Sequence, residues 1–436
     1  MSSDSTINVL IITYYWPPSG GSGVQRWLKF TKYLSSFRIQ PVVYVPENAD
    51  YPVVDKSLTE EISQNIEIWK YPIWEPYQLY KRILGISKDS KLQSGEVSKV
   101  KKSYLQQWAV WLRGNLLIPD PRKFWVFPSV KFLKKKMQEK KFSAIISSGP
   151  PHSVHLIAEK ISSFFNLPWI VDMRDPWTDV FYYKDLKHSF FAKNWDKKLE
   201  SRVLNKANHI ITVSKGLKEI FLSKVENKNK ITVITNGYDE EDFSASGKKS
   251  FSEFTITYTG QLLHSYNPYP FFDALNNLLQ SGLLSTIRLN LIGSMGKEII
   301  SYIEKSSLKK VTVITKNLPH LESLSYLKGS HLLFLCVPEP ENAKGILTGK
   351  IFEYLASGKP ILNLCNTSLE SEEIIRDCQA GKTFYRHNLQ GIKNFILSVY
   401  ADYKNGKIFT KTDACKKYER KYLTEELGRI IRGIRV

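Results

Sequence analysis

Two series of nearly continuous apolar runs, each run followed by a turn and then a helix-period segment, constrain the fold of this chain more than any other feature. The first series holds 8–16 (NVLIITYYW), 41–46 (PVVYVP), 143–148 (SAIISS), 168–174 (PWIVDMR), 209–214 (HIITVS) and 231–235 (ITVIT). The second holds 254–260 (FTITYTG), 287–293 (IRLNLIG), 311–315 (VTVIT), 331–337 (HLLFLCV) and 360–364 (PILNL). Runs without polar alternation fit strands covered on both faces, and their alternation with helices predicts open parallel sheets. A polar run at 239–251 separates the series. The tail from 414 places Tyr418, Tyr422, Leu427, Ile430, Ile431 and Ile434 at the spacing of an amphipathic helix, long enough to return to the first domain. The expected class is α/β, with doubly wound domains at 1–240 and 252–405 facing a central cleft and a returning segment at 406–436. Ligands of such folds sit above the carboxyl ends of the strands, but the architecture serves many functions.

Charge narrows the classes. The 436 residues carry 62 Lys+Arg against 42 Asp+Glu, a formal net charge of +20. Between Lys99 and Lys141 stand ten Lys and two Arg against Asp120 and Glu139, so about a tenth of the chain holds half of the excess. Nucleic acid, an anionic membrane surface and anionic substrates all suit such a chain. No run approaches eighteen apolar residues, which predicts no transmembrane helix. The run from Ile7 to Trp16 lacks the flanks of a signal peptide and reads as a strand. Four cysteines (Cys336, Cys365, Cys378, Cys415) without metal-ligand spacing read as reduced thiols.

The chemistry-bearing residues fall at the ends of runs. In PPSGGSGVQR, Gly20, Gly21 and Gly23 let a backbone approach a ligand or simply make a tight turn. Gln25 and Arg26 break the dinucleotide-binding G-x-G-x-x-G spacing, which disfavours an NAD enzyme. His152, just past a strand, is placed to contact a substrate or exchange a proton, or else to pack at a helix start. Arg174 and Asp175 end the next strand, as an anion-binding pair or a loop-orienting one. Thr348 and Gly349 precede a predicted helix whose first turn carries Lys350 and Glu353. A pyrophosphate there would meet free amides and an ammonium, and Glu353 could accept bonds from a ribose diol; the bland alternative is a surface i,i+3 pair.

Taken together, the Gly-rich first loop, the strand-then-His152 turn, ITVSKGL, ITVITNGYDEEDF, YTGQLL, LNLIGSMG and TGKIFEYLASGKPIL resemble the bacterial glycosyltransferases of family 4 over nearly the whole chain. The resemblance implies the two-domain GT-B fold and retaining, metal-independent transfer of a sugar from a nucleotide-sugar to a glycan or polyprenyl-linked acceptor, without a cofactor. It implies a cytoplasmic enzyme of surface-polysaccharide synthesis, peripheral at the inner face of the membrane. On that basis His152, Lys350 and Glu353 are the expected catalytic residues. Gly21, Gly23, Gly260, Thr348, Gly349, Lys350 and Glu353 are expected on the donor, Arg174 and Asp175 on the acceptor or sugar. No metal ligands are expected. Glu353 is similar to the family's ribose-binding glutamate. The family's other glutamate, eight positions earlier, is here Gly345, with Glu339 and Glu341 in a different register. The loop after YTGQLL, which often carries a basic residue, reads His264, Ser265, Tyr266 and Asn267.

The basic stretch interleaves Trp108, Trp111, Phe124, Trp125, Phe127 and Phe132 with Lys and Arg. That pattern suits an anionic membrane surface through 99–141, the alternative being core aromatics with solvated lysines. No nucleic-acid module is present, and none is expected as a partner. A nucleotide-sugar epimerase of the same fold and a non-catalytic nucleotide-binding homologue are the competing readings.

Overall fold

The computed structural model describes residues 6–75, 104–338, 345–366 and 370–434. They form two compact units, one of Met1–Thr235 with Thr424–Val436 and one of Asn236–Leu423.

In the first unit β1 (Ile7–Thr13), β2 (Ile39–Pro46), β3 (Glu67–Tyr71), β4 (Ala144–Gly149), β5 (Trp169–Met173), β6 (His209–Thr212) and β7 (Ile231–Val233) make a sheet in the order β3-β2-β1-β4-β5-β6-β7, every pair parallel. The order reverses between β1 and β4, and the Gly-rich loop and His152 follow those two strands. Helices cover both faces, which is why these strands read as unbroken apolar runs. Trp125, fully buried, stacks on Tyr44 with ring centres 5.0 Å apart.

The second unit repeats the plan with β8 (Phe254–Thr259), β9 (Ile287–Ile292), β10 (Thr312–Thr315), β11 (Leu332–Cys336), β12 (Ile361–Cys365) and β13 (Gly381–Tyr385), in the order β10-β9-β8-β11-β12-β13 and all parallel. Its switch point lies between β8 and β11, so Gly260 and Val337, which follow those two strands, stand at the position where such sheets bind ligands. Phe271 and Phe334 stack at 3.8 Å in its core.

Three local features depart from the sequence reading. Edge strands β3 (EIWKY) and β13 (GKTFY) are too short and polar to stand out as apolar runs. The polar run at 239–251 carries structure of the second unit: Asp239 caps helix Glu240–Ala245, Phe243 is buried, and Lys328 Nζ donates to the carbonyls of Phe243 and Ser246 at 2.7 and 2.6 Å. The last helix, Arg420–Gly433, buries Leu423, Leu427 and Ile431 and leaves Tyr422 exposed. Within the first unit its Gly428 faces Phe37 and Ile39, and Arg432 donates to the Phe37 carbonyl. All four cysteines are buried and unbridged.

Candidate functional site

In the second unit, helix Lys350–Ser357 (KIFEYLAS) buries Ile351, Phe352, Tyr354 and Leu355, which fixes how its first turn faces. Gly349 is its N-cap and no side chain caps it, so the amides of the first turn have no side-chain acceptor at the cap. Tyr354 reaches back to the sheet, where its hydroxyl accepts from the Thr259 amide at 2.9 Å. That bond locks the helix start against the end of β8.

Lys350 is half-buried there. Its Nζ donates to the Tyr258 hydroxyl at 2.6 Å and to the Gln261 carbonyl at 3.3 Å, and lies 4.3 Å from the centre of the Tyr258 ring. Among the described residues no carboxylate lies within ion-pair distance of it. Burial pulls its pKa down to about 8, with smaller opposing pulls from Cys336 and Glu353. An ammonium has three donors, so one remains for an anion. Gly260 makes this approach possible: its φ is +96°, and a Cβ on it would stand 2.5 Å from Lys350 Cε.

Glu353 lies one turn on. Its Oε1 bonds His320 Nε2 at 3.0 Å, a contact across 33 residues that no sequence spacing announces. Arg386 is another residue the sequence reading missed. Buried, it donates to the carbonyls of Tyr266, Asn267 and Val337, joining the loops that follow β8 and β11. His264 bonds the Tyr269 hydroxyl at 2.7 Å. Gly345 has φ +94°, a conformation a glutamate would enter only with strain. Thr348 is half-buried; Glu339 and Glu341 lie outside the described residues.

In the first unit, Gly21 has φ +105° and is the N-cap of helix Ser22–Leu34, and it is exposed. Gly23 serves a different purpose: a Cβ would stand 1.7 Å from Arg174 Nη1. Arg174 threads past it to donate from Nε to the Gly149 carbonyl at 3.1 Å and from Nη2 to the Pro150 carbonyl at 2.9 Å. Arg174 is therefore held by the loop backbone, as in the loop-orienting alternative, rather than by Asp175, which stands exposed. The ion pair of this region is instead Arg26–Asp172, both fully buried, at 3.1 Å.

His152 is the N-cap of helix Ser153–Phe165 and stacks on Trp177 with centres 4.3 Å apart. Trp177 is held in turn by its Nε1 bond to Asp196 at 2.8 Å. Burial, then His155, Arg174 and Lys224, hold the His152 pKa well below the ordinary value. It is a neutral imidazole at pH 7 whose buried Nδ1 has no partner among the described residues. Asp120 accepts from the Ser153 amide and hydroxyl at 2.9 and 2.8 Å, which relieves His152 of capping.

A Gly23→Ala variant is expected to unfold within about 1 kcal/mol of the parent, because the clash falls on a flexible guanidinium. It should displace Arg174 and lose the same fraction of any activity that Arg174→Ala loses, with no further loss in the double variant. Steady-state kinetics of the three variants check this; additive losses would separate the two residues.

The sequence model of Glycosyltransferase Family 4 matches residues 92–242. No curated protein sequence matches the chain. Among solved structures, sucrose-phosphate synthase from Thermosynechococcus elongatus superposes with a TM-score of 0.61 at 12% identity, over 98% of this chain and 99% of the other. Anabaena HepE in complex with UDP-glucose gives 0.60 at 12% identity, over 98% and 100%. A Listeria monocytogenes protein described as a UDP-N-acetylglucosamine 2-epimerase gives 0.56 at 11% identity, over 98% and 96%. The fold is GT-B, two doubly wound α/β domains.

Proposed function

We propose that this chain, a GT-B protein whose residues 92–242 carry the family 4 match, is a glycosyltransferase that moves a sugar from a nucleotide-sugar to a glycan or polyprenyl-linked acceptor. In this reading it retains anomeric configuration, needs neither metal nor cofactor, and serves cell-surface polysaccharide synthesis at the inner face of a membrane, which it meets through 99–141. The observation that carries the reading is Lys350. It is a half-buried ammonium without a carboxylate among the described residues, beside a helix start and beneath a glycine at positive φ. That arrangement suits a diphosphate. Two structural relatives were solved with UDP or a UDP-sugar, which agrees with a donor of that class.

The leaving diphosphate gains charge as the glycosidic bond breaks, and Lys350 with the first-turn amides of its helix would stabilise that charge most. Glu353, oriented by His320, would accept the ribose hydroxyls. His152 is so weak a base that proton abstraction suits it poorly. Its role is better read as a hydrogen bond to the sugar or the acceptor hydroxyl, positioning it for attack.

Donor class is tested with a panel of nucleotide-sugars scored for thermal stabilisation and turnover. Glu353→Ala should weaken binding of the free nucleoside diphosphate by about 10- to 100-fold with its far-UV spectrum unchanged. Unchanged affinity would remove the site assignment. The epimerase relative favours a second reading, in which free epimerised nucleotide-sugar forms with no acceptor present.

A further inference from the structure

Helix Tyr104–Leu116 (YLQQWAVWLRGNL) turns aromatic residues away from its domain. Tyr104, Trp108 and Trp111, at i, i+4 and i+7, are 91%, 64% and 43% exposed, while Val110 and Gly114 are buried. Gly114 packs so closely that a Cβ would stand 2.1 Å from the Leu186 carbonyl oxygen. The helix is held on its inner side by Val110 and by the close approach of Gly114, and the aromatic stripe of its outer side lies in solvent.

Two neighbouring segments share this arrangement. Helix Phe190–Lys206 begins with Phe190, Phe191 and Trp195 at 73%, 83% and 57% exposure, with Lys193, Lys197 and Lys198 exposed among them. Asn115 ties it to the first helix, donating to the Lys187 carbonyl at 3.2 Å and accepting from the Ser189 amide at 2.7 Å. On helix Lys123–Lys136, Phe124, Phe127, Lys131 and Lys135 form an exposed stripe, while Trp125 turns inward to the core. Lys123 joins this helix to the first through the Leu116 carbonyl.

The chemistry of the surface selects its occupant. Lys131, Lys135, Lys193, Lys197 and Lys198 form no ion pair among the described residues. Protein interfaces are depleted in lysine at their centres, so a surface that alternates free lysines with rings fits a protein partner poorly. It fits a bilayer interface, where Trp, Tyr and Phe settle at headgroup depth and lysines reach anionic phosphates.

We propose that helix Tyr104–Leu116, the start of helix Phe190–Lys206 and the outer stripe of helix Lys123–Lys136 form one docking surface for an anionic lipid bilayer. This rests on the reading that 99–141 meets a membrane, and adds to it a segment that begins about 50 residues further along the chain, at Phe190. The test is co-sedimentation of the full chain with vesicles of equal phosphatidylglycerol and phosphatidylcholine, against phosphatidylcholine alone. Binding is expected to the first and not the second, and to fall with salt. Trp108→Ser/Trp111→Ser, Phe190→Ser/Phe191→Ser and Lys193→Glu/Lys197→Glu/Lys198→Glu should each lower partitioning at least about tenfold, with UDP affinity and melting temperature unchanged.

Loss in the Trp108/Trp111 variant alone would confine docking to 99–141 and overturn the combined surface. Wild-type binding by all three variants, or no binding by the parent, would overturn both readings. Self-association relieved by the same variants, or salt-sensitive single-stranded DNA binding without vesicle binding, would assign the surface to a second copy or to nucleic acid instead.

Discussion

Lys350→Met is expected to weaken UDP binding by about 10- to 100-fold at pH 7, since a hydrogen bond to a charged group contributes about 1.5–3 kcal/mol. The structure also predicts how that loss varies with pH. The free protein holds the Lys350 pKa at about 8 because its surroundings disfavour the charge. A bound diphosphate favours the charge and raises that pKa. The parent's affinity should therefore be level below about pH 7 and decline as pH climbs through 8, while Lys350→Met is already weak and flat over the same window. Stability takes the opposite sign. A lysine whose folded pKa lies below its unfolded value is a cost to folding while it is charged, so the methionine variant should melt no lower than the parent at pH 7. Calorimetric titration across pH 6–9, paired with thermal melts, separates the two effects. A parent affinity that stays level through pH 9 would end the assignment of Lys350 to the diphosphate.

What made the helix start at Lys350 legible was locality. Thr348, Gly349, Lys350 and Glu353 share one helix start, and a turn, a helix period and a resemblance all point to it. Gly260 was readable as the end of an apolar run, although its partner Lys350 lies ninety residues away. The turn after β5 was less legible for the same reason reversed. Sequence adjacency suggested that Arg174 and Asp175 act together, but both stand in the bend beyond the end of β5, where no strand or helix period sets how side chains face. Arg174 went to the carbonyls of the loop after β4, and Gly23 is a glycine because that guanidinium passes it. Within their own units, His320, Trp177 and Arg386 hold their neighbours through contacts that span 19 to 120 residues, and no period or motif encodes such contacts. The aromatics of the basic stretch divided likewise: Trp125 is core, Phe132 packs against the core, and Trp108, Trp111, Phe124 and Phe127 face solvent. Helical spacing groups residues on faces; only the fold says which face is inward.

The buried pair that the sequence did not announce carries the largest expected effect on stability. Asp172, in the all-buried strand β5, was visible as a charged residue inside PWIVDM, but its partner stands 146 residues earlier. Its carboxylate accepts from Arg26 Nη2 at 3.1 Å and Nε at 3.3 Å, from Trp27 Nε1 at 2.8 Å and from Ser148 Oγ at 2.7 Å. Arg26 spends its remaining arm on the Thr235 carbonyl at 2.8 Å and lies 4.9 Å from the centre of the Phe30 ring. One carboxylate thus joins β5, β4 and the helix that begins at the Gly-rich loop, and Arg26 extends the link to the last residue of the unit's main segment. Burial already lowers the Arg26 pKa, and Asp172 is the main influence opposing it. Asp172→Ala removes that opposition and leaves the Trp27 Nε1 and Ser148 Oγ donors and the Arg26 guanidinium without their carboxylate in the core. The expected loss is about 3–5 kcal/mol, a large share of a domain's usual margin of about 5–15 kcal/mol. Arg26→Met/Asp172→Leu, which removes both charges together, should recover most of it, because the penalty comes from the orphaned charge rather than from the absence of attraction. Urea unfolding of the parent, both single variants and the double variant measures the coupling directly. A loss below about 1 kcal/mol in Asp172→Ala, or additive losses in the double variant, would show that water reaches the pair and that these links hold the Gly-rich loop in place by some other means.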